Sequence, residues 1–349
     1  MRPNLNVGSN RTTMIDRRQF LRLSSASTLA APALAAGLLG RAALAQTQAP
    51  VWPGRFVRMI VPYPAGGGAD TIARLLAGRL SDTWGQQVLI ENRGGAGGNI
   101  ASEAAARSPP DGYTMYLAGE FQATNPYLYP RLAYDPVADF VPVTLVVQYP
   151  AALVVPNSSP AHSVKEFIAH AQANPGQVTF ASPGHGTGPH LAGELFKRVA
   201  GIELTHVPYR GAAPALQDLV PGRVDSFFNN IAPIIPLMQQ GQLRALAVTS
   251  AKRTPAAPDL PTLAEAALPG FDVSGWYALF VPAKTPPAIV QKMHADTVAA
   301  LADPAIRGRL EQLGLFVVGS TPEQLGQFLK SEMDKWGPVI KQAGIAIRE

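Results

Sequence analysis

Phe56-Val57-Arg58-Met59-Ile60-Val61-Pro62-Tyr63-Pro64-Ala65-Gly66-Gly67-Gly68-Ala69-Asp70 carries an apolar strand into a glycine turn, and Ile72, Leu75, Leu76 and Leu80 continue it as a helix. Residues 56–61 are strand formers, the prolines and glycines after them cannot extend the strand, and the later apolar spacing is helical. Asp70 suits the helix N-cap, with a direct or water-mediated ligand contact as its second reading. Gly67 is expected to adopt positive φ, which a β-branched residue would resist. The three glycines leave backbone N–H groups uncovered at a helix N-terminus, where the macrodipole favours an anion. A similar loop recurs at Ser182-Pro183-Gly184-His185-Gly186-Thr187-Gly188-Pro189-His190. One such loop alone fits a plain strand–helix connection; two suggest an anion gripped from two sides.

The loops lack the marks of nucleotide sites. A phosphate loop needs Lys then Ser or Thr after its last glycine, and here Ala69-Asp70 follows; Gly66-Gly67-Gly68 does not supply G-x-G-x-x-G. Ser182 lacks the G-x-S-x-G setting of a hydrolase nucleophile. His185 and His190, five apart with no carboxylate between them, fit neither a helical pair nor a short chelating turn, so no metal is expected. His190 instead reads as a hydrogen-bond partner behind the ligand. No cofactor is expected.

Residues 1–45 read as an export leader to be left out of the fold. Arg17-Arg18-Gln19-Phe20-Leu21 is a twin-arginine core, an Ala/Leu-rich stretch follows, and Ala43-Leu44-Ala45 is a cleavage site before Gln46. Pro32, Gly37 and Gly40 break the apolar run, which is shorter than the roughly 20 residues of a membrane span. Met14, just upstream of the arginine pair, offers an alternative start. The leader holds six of the 29 basic residues and one of the 24 acidic ones, leaving 23 of each in the mature chain. The high pI therefore belongs to the leader, and nucleic acid or an anionic membrane loses its support as a partner. The absence of cysteine excludes disulfides, thiolate metal sites and thiol nucleophiles.

The mature chain alternates strand-like and helix-like segments, which predicts an α/β architecture of mostly parallel sheets flanked by helices. Strands are expected at 87–91, 113–118, 143–148, 152–155, 178–181, 224–228 and 243–248, and helices at 100–107, 164–173, 191–200 and 214–219. Ala152-Leu153-Val154-Val155-Pro156 and Ala278-Leu279-Phe280-Val281-Pro282 share a pattern, as two segments crossing between lobes would. The expected organisation is one lobe from 46–150 plus 275–349, a second from 151–274, and a hinge of two crossing segments.

With those segments placed, the mature chain resembles the Bug-type extracytoplasmic solute receptors of the tripartite tricarboxylate transporter family along its length. The resemblance rests on Val61 to Asp70, on Glu91-Asn92-Arg93-Gly94-Gly95-Ala96-Gly97-Gly98-Asn99 and on Asp111-Gly112-Tyr113-Thr114. Tyr134-Asp135-Pro136, Ser182 to His190, Val207-Pro208-Tyr209-Arg210-Gly211, Gly222-Arg223-Val224-Asp225 and Pro258-Asp259-Leu260-Pro261-Thr262 extend it. It implies a type II-like, two-lobed periplasmic binding protein that is not an enzyme and acts as a monomer. It would close on a small organic carboxylate (a dicarboxylate, tricarboxylate, amino acid or aromatic acid), for sensing or for membrane subunits of a tripartite tricarboxylate-type transporter. An exported enzyme acting on a small carboxylate is the alternative.

Carried onto this sequence, the resemblance points to Tyr63, Pro64, Ala65, Gly66, Gly67, Gly68, Asp70 and Thr71 on one side. On the other stand Ser182, Gly184, His185, Gly186, Thr187, Gly188 and His190, with Tyr209, Arg210, Gly211 and Ala212. Asn125 and Asn229 are polar groups at strand ends, where open α/β sheets place ligands. Tyr63, Tyr209, Trp276 and Tyr277 are candidate pocket walls or core. Arg210 is either a partner for a ligand carboxylate or a solvated arginine. Two departures from the family pattern are Gly94, expected to loosen only a turn, and Ala278, expected to narrow the pocket mouth. A helix N-terminus contributes about 0.3–1 kcal/mol to an exposed anion and up to about 2 when partly buried. Micromolar binding requires about 8 kcal/mol. Closure of two lobes, excluding water and adding backbone hydrogen bonds, must supply the rest.

Overall fold

Val57–Val61 forms β1 and Gly68–Trp84 forms α1, joined by the glycine turn as the pattern predicts. The computed structural model describes residues 52–345; the expected leader and its cleavage site lie outside them. β2 (Val88–Asn92), α2 (Asn99–Ala106), β3 (Thr114–Gly119) and α3 (Phe121–Leu128) follow, and then the long strand β4 (Phe140–Pro156). Next come α4 (Val164–Ala173), β5 (Thr179–Ser182), α5 (Gly188–Ala200), β6 (Thr205–Pro208), α6 (Ala212–Leu219) and β7 (Ser226–Asn230). The chain continues through α7 (Ile235–Gln239), β8 (Leu243–Val248), α8 (Leu263–Ala266) and β9 (Ser274–Pro282). It ends with α9 (Pro287–Ala302), α10 (Pro304–Gln312), the short β10 (Phe316–Val317) and α11 (Pro322–Ala343).

The strands run in the order β2-β1-β3-β9-β4-β7-β5-β6, with β8 and β10 also paired to β4. At each end of this order three strands are parallel: β2, β1 and β3 in one half, β7, β5 and β6 in the other. The strands that carry the chain through the middle are antiparallel, since β9 pairs against both β3 and β4.

Residues 143–148 and 152–155, expected as two strands, are one continuous strand of 17 residues. β4 pairs with β9 as far as Pro150 opposite Ser274, and from Ala151 onward it pairs with β7 and β8. Pro150 stands at this change of partners, where its missing N–H interrupts no ladder that would otherwise continue.

Helices cover both faces of each half. Met59, Ile72, Leu76, Leu80, Leu279 and Leu301 build one cluster of the first half, and Tyr116, Phe121, Phe140, Trp276 and Phe280 the other. Phe167, Phe180, Phe196 and Phe228 centre a third cluster, which Trp336, Val339 and Ile340 from the end of α11 complete. Phe227, Ile231, Ile234 and Val248 belong to the fourth. Among the described residues, no helix is long and apolar enough to cross a membrane.

Candidate functional site

The N-cap of α1 is Gly67, with no side-chain cap, and not Asp70 as the sequence suggests. Asp70 is the third helical residue and is buried. Its carboxylate reaches back to accept from the Gly66 amide (2.9 Å), from Arg74 Nε (2.8 Å) and from Asn92 Nδ2 (3.0 Å). Chiefly the Arg74 hydrogen bond, with Gly66 and Asn92 assisting against burial, lowers its pKa to about 2. Asp70 thus stiffens the loop as expected, by a route other than capping, and its carboxylate is committed to the protein. The left-handed turn falls on Gly66 (φ +87°); Gly67 has φ −82°, so the expectation of positive φ there is corrected.

Gly66, Gly67, Gly68 and Thr71 line a cavity of about 440 Å³ together with Tyr149, Ala212, Asn229, Asn230 and Tyr277. The first amides of α1 have no acceptor within their own helix, and Ala212 brings the first turn of α6 to the same space. Asn229 is 2% exposed, yet its Nδ2 has no hydrogen-bond partner, and Asn230 Oδ1 lacks one as well. Among the described residues, no charged side chain lines this cavity. Neutral donors and two helix ends around one cavity suit an anion held by dipoles.

The second glycine loop faces elsewhere. His185, Gly186 and Thr187 line a cavity of about 230 Å³ with Pro62, Tyr63, Pro64, Gly97, Glu120, Asn125 and Tyr129. The Tyr63 ring packs on Tyr277 (6.0 Å between centroids), and Tyr277 on Tyr149 (5.1 Å). One loop thus serves both cavities, Tyr63 and Pro64 the smaller and its glycines the larger.

The first turn of α5 is satisfied internally. Thr187 caps it by accepting from the His190 amide (3.4 Å), and Pro189 has no N–H. The Gly188 amide donates to Glu120 Oε1 (3.3 Å), whose other oxygen accepts from the Tyr149 hydroxyl (3.0 Å). A side chain at position 188 would meet Glu120 Oε1 at 2.9 Å, which explains the glycine. Burial raises the Glu120 pKa, opposed by these hydrogen bonds. The sequence reading missed Glu120; its signal was a lone acid after the apolar run Met115 to Gly119, at a strand end.

A histidine cluster braces the same loop. His190 Nδ1 accepts from the Gly186 amide (3.0 Å), and His206 Nε2 bonds Ser182 Oγ (2.7 Å). One ring nitrogen from each of His185, His190 and His206 lies within 4.8 Å of the others, a grouping that the spacing of His185 and His190 could not reveal. The rings of His190 and His206 are stacked at 3.9 Å and 18°, while His185 meets both edge-on. Stacked, nearly parallel rings hold their in-plane lone pairs in separate planes, so these two cannot converge on one ion as they stand. Burial first, then the neighbouring imidazoles and Lys197, lower His190 to about 2 and His206 to about 4.

Of the other expected site residues, all but Asn125 lie away from both cavities. Trp276 is core, fully buried with Nε1 donating to Glu332 (3.3 Å). Tyr209 donates to Asp218 (2.9 Å), and Arg210 is exposed, with no side-chain hydrogen bond or ion pair among the described residues. Ala65, Ser182, Gly184, His190 and Gly211 shape the loops without lining either cavity. Asn125 lines the smaller cavity, but its amide donates to Gly97 O (2.9 Å) and Asn99 (2.8 Å). Ala278 is buried in mid-sheet opposite Ala118 and Leu145, so it narrows no pocket mouth. Gly94 packs against Pro64 of the first loop.

Residues 72–345 match the family described as "Tripartite tricarboxylate transporter family receptor". Protein BugT of Bordetella pertussis is 36% identical over 306 residues, covering 87% of this chain and 94% of its own. The structure of R. palustris Rpa4515 with adipate superposes with a TM-score of 0.78 at 39% identity, over 84% of this chain and 99% of that one. MatC from Rhodopseudomonas palustris with bound malate gives 0.73 at 35% identity, over 83% and 100%.

Proposed function

The chain belongs to the tripartite tricarboxylate transporter family of receptors, and from that premise we propose that it is a periplasmic receptor that closes two lobes on a small organic carboxylate. Twin-arginine export would place it in the periplasm, with cleavage after Ala45. Delivery to membrane subunits of a tripartite tricarboxylate-type transporter, or sensing, would follow capture. Similar proteins seen with adipate and malate support the ligand class. The lobes we propose are 46–150 plus 275–349 and 151–274. The change of β4 partners between Pro150 and Ala151, opposite Ser274, supports those boundaries. α11 would then serve both lobes, because its end packs in the core of the middle segment.

The observation that carries this reading is the partnerless amide of buried Asn229 in an uncharged cavity shared with the first turn of α1. A ligand carboxylate there would accept from that amide and from the helix end, and closure would strengthen both by excluding water. The test is a thermal-shift and calorimetric screen of the mature protein against mono-, di- and tricarboxylates, amino acids and aromatic acids. Stabilisation by one or a few of them, each recovered chemically unchanged, is expected. Turnover of a hit, or no carboxylate binding at all, would overturn the reading.

A further inference from the structure

The two glycine loops do not offer the same thing to a ligand. At α1 the first amides border a cavity with no charged side chain among the described residues, and Asn229, whose buried Nδ2 has no partner, contributes to its wall. At α5 the Gly188 amide is taken by Glu120, Pro189 has none, and the His190 amide is taken by Thr187. The protein's own carboxylate thus occupies the place where a second ligand carboxylate would bind. Glu120 is 9% exposed, makes no ion pair among the described residues, and lines the smaller cavity, where the one basic neighbour is the exposed His185. Pro64 lines that cavity and Gly66 the larger one, at most about 7 Å of chain apart, so a ligand that passed the rings of Tyr63 and Tyr277 would meet both.

We propose that Glu120 selects the far end of the ligand: the receptor takes a carboxylate whose distal group donates hydrogen bonds, an ammonium above all, and rejects a second carboxylate there. This rests on the carboxylate reading of the larger cavity. A distal ammonium would find in Glu120 a buried acid with no cation beside it, and its positive charge would favour the ionised carboxylate. A distal carboxylate would bring a second acid against Glu120, where the two cannot both ionise without repulsion, and would find the helix end already filled. The chain would then differ in ligand class from the similar proteins seen with adipate and malate.

Calorimetry on the mature wild-type protein would compare three series of four to eight carbons: alkanoates, ω-amino alkanoates and α,ω-dicarboxylates. At matched length the amino acid is expected to bind at least about tenfold more tightly than the dicarboxylate, the smallest effect of a hydrogen bond to a charged group. Glu120→Gln, checked for folding by its melting curve, should shrink that ratio toward one. Dicarboxylates binding wild type as tightly as their amino counterparts would overturn the inference, even if the variant fails to fold. So would an unchanged ratio in a folded variant. If no series binds, the inference falls, and the carboxylate reading falls with it where the wider screen is blank as well; if the alkanoates bind without a preference between the other two, only the role of Glu120 does.

Discussion

The Asp70 carboxylate accepts the Gly66 amide at 2.9 Å, four residues back along the chain, and so closes the first glycine loop on its own helix. The remaining N–H groups of that helix end are then left for a ligand. Without the contact, the loop would lose conformational restraint at the one turn whose φ is positive.

Asp70 makes stability depend on pH at the acid end. Its folded pKa is about 2, below the unfolded value of 3.8, so its contribution is full above 3.8 and is lost as pH falls through 2. The contribution amounts to about 2.5 kcal/mol at most. Asp70→Asn should lower the melting temperature at neutral pH and flatten its fall between pH 4 and 2. Melting curves of both proteins over that window check this; parallel curves would show the carboxylate to be energetically silent.

The histidine stack works in a higher window. His206 and His190 have folded pKa values of about 4 and 2, below the unfolded 6.5. Their contribution is complete above 6.5 and declines as pH falls, by about 1.4 kcal/mol per unit per histidine until each folded value is reached. His206→Gln should reduce the steepness of melting temperature against pH between 6.5 and 4.5. An unaltered slope would mean that the stack opens at no energetic cost.

Gly67→Val should abolish carboxylate binding and leave the fold nearly intact. An added Cβ meets only Pro64 O, at 3.7 Å, and the backbone angle suits any residue. The side chain would stand over the amides of α1. Gly66→Ala, at φ +87°, should instead destabilise by about 1 kcal/mol. Calorimetry with melting curves separates the two, and normal binding by Gly67→Val would reduce the loop to a connector.

Asn229→Ala should cost little stability, because the Nδ2 it removes has no partner in the protein. It should weaken carboxylate binding by about 1.5–3 kcal/mol, the value of a hydrogen bond to a charged group. Titration of a carboxylate found in the screen decides it; an unchanged dissociation constant would place the ligand elsewhere.

Arg210→Ala should leave affinity unchanged within about 0.5 kcal/mol, as for a surface substitution away from the site. Arg210 is exposed and lines neither cavity. A loss of 1.5–3 kcal/mol would instead show that closure brings the guanidinium to the ligand.

The sequence by itself determined the family and many of the local elements, although Asn125, expected at a strand end, lies inside α3. Helical spacing places Val164–Ala173, and the apolar run Leu243–Val248 places its strand, because burial of one face imposes a period that neighbours along the chain must keep. The glycine loops were legible too, since no other residue type frees a helix end in the same way. Tertiary structure decided what sequence spacing cannot carry. Glu120 meets Gly188 across 68 positions, and His206 of β6 stacks on His190 of α5. β4 runs through Pro150 because its partners change there. Each of these depends on which strand lies beside which. That pairing is set by the packing of whole faces, and it decides which helix end stays open to an anion and which is closed by the protein's own acid.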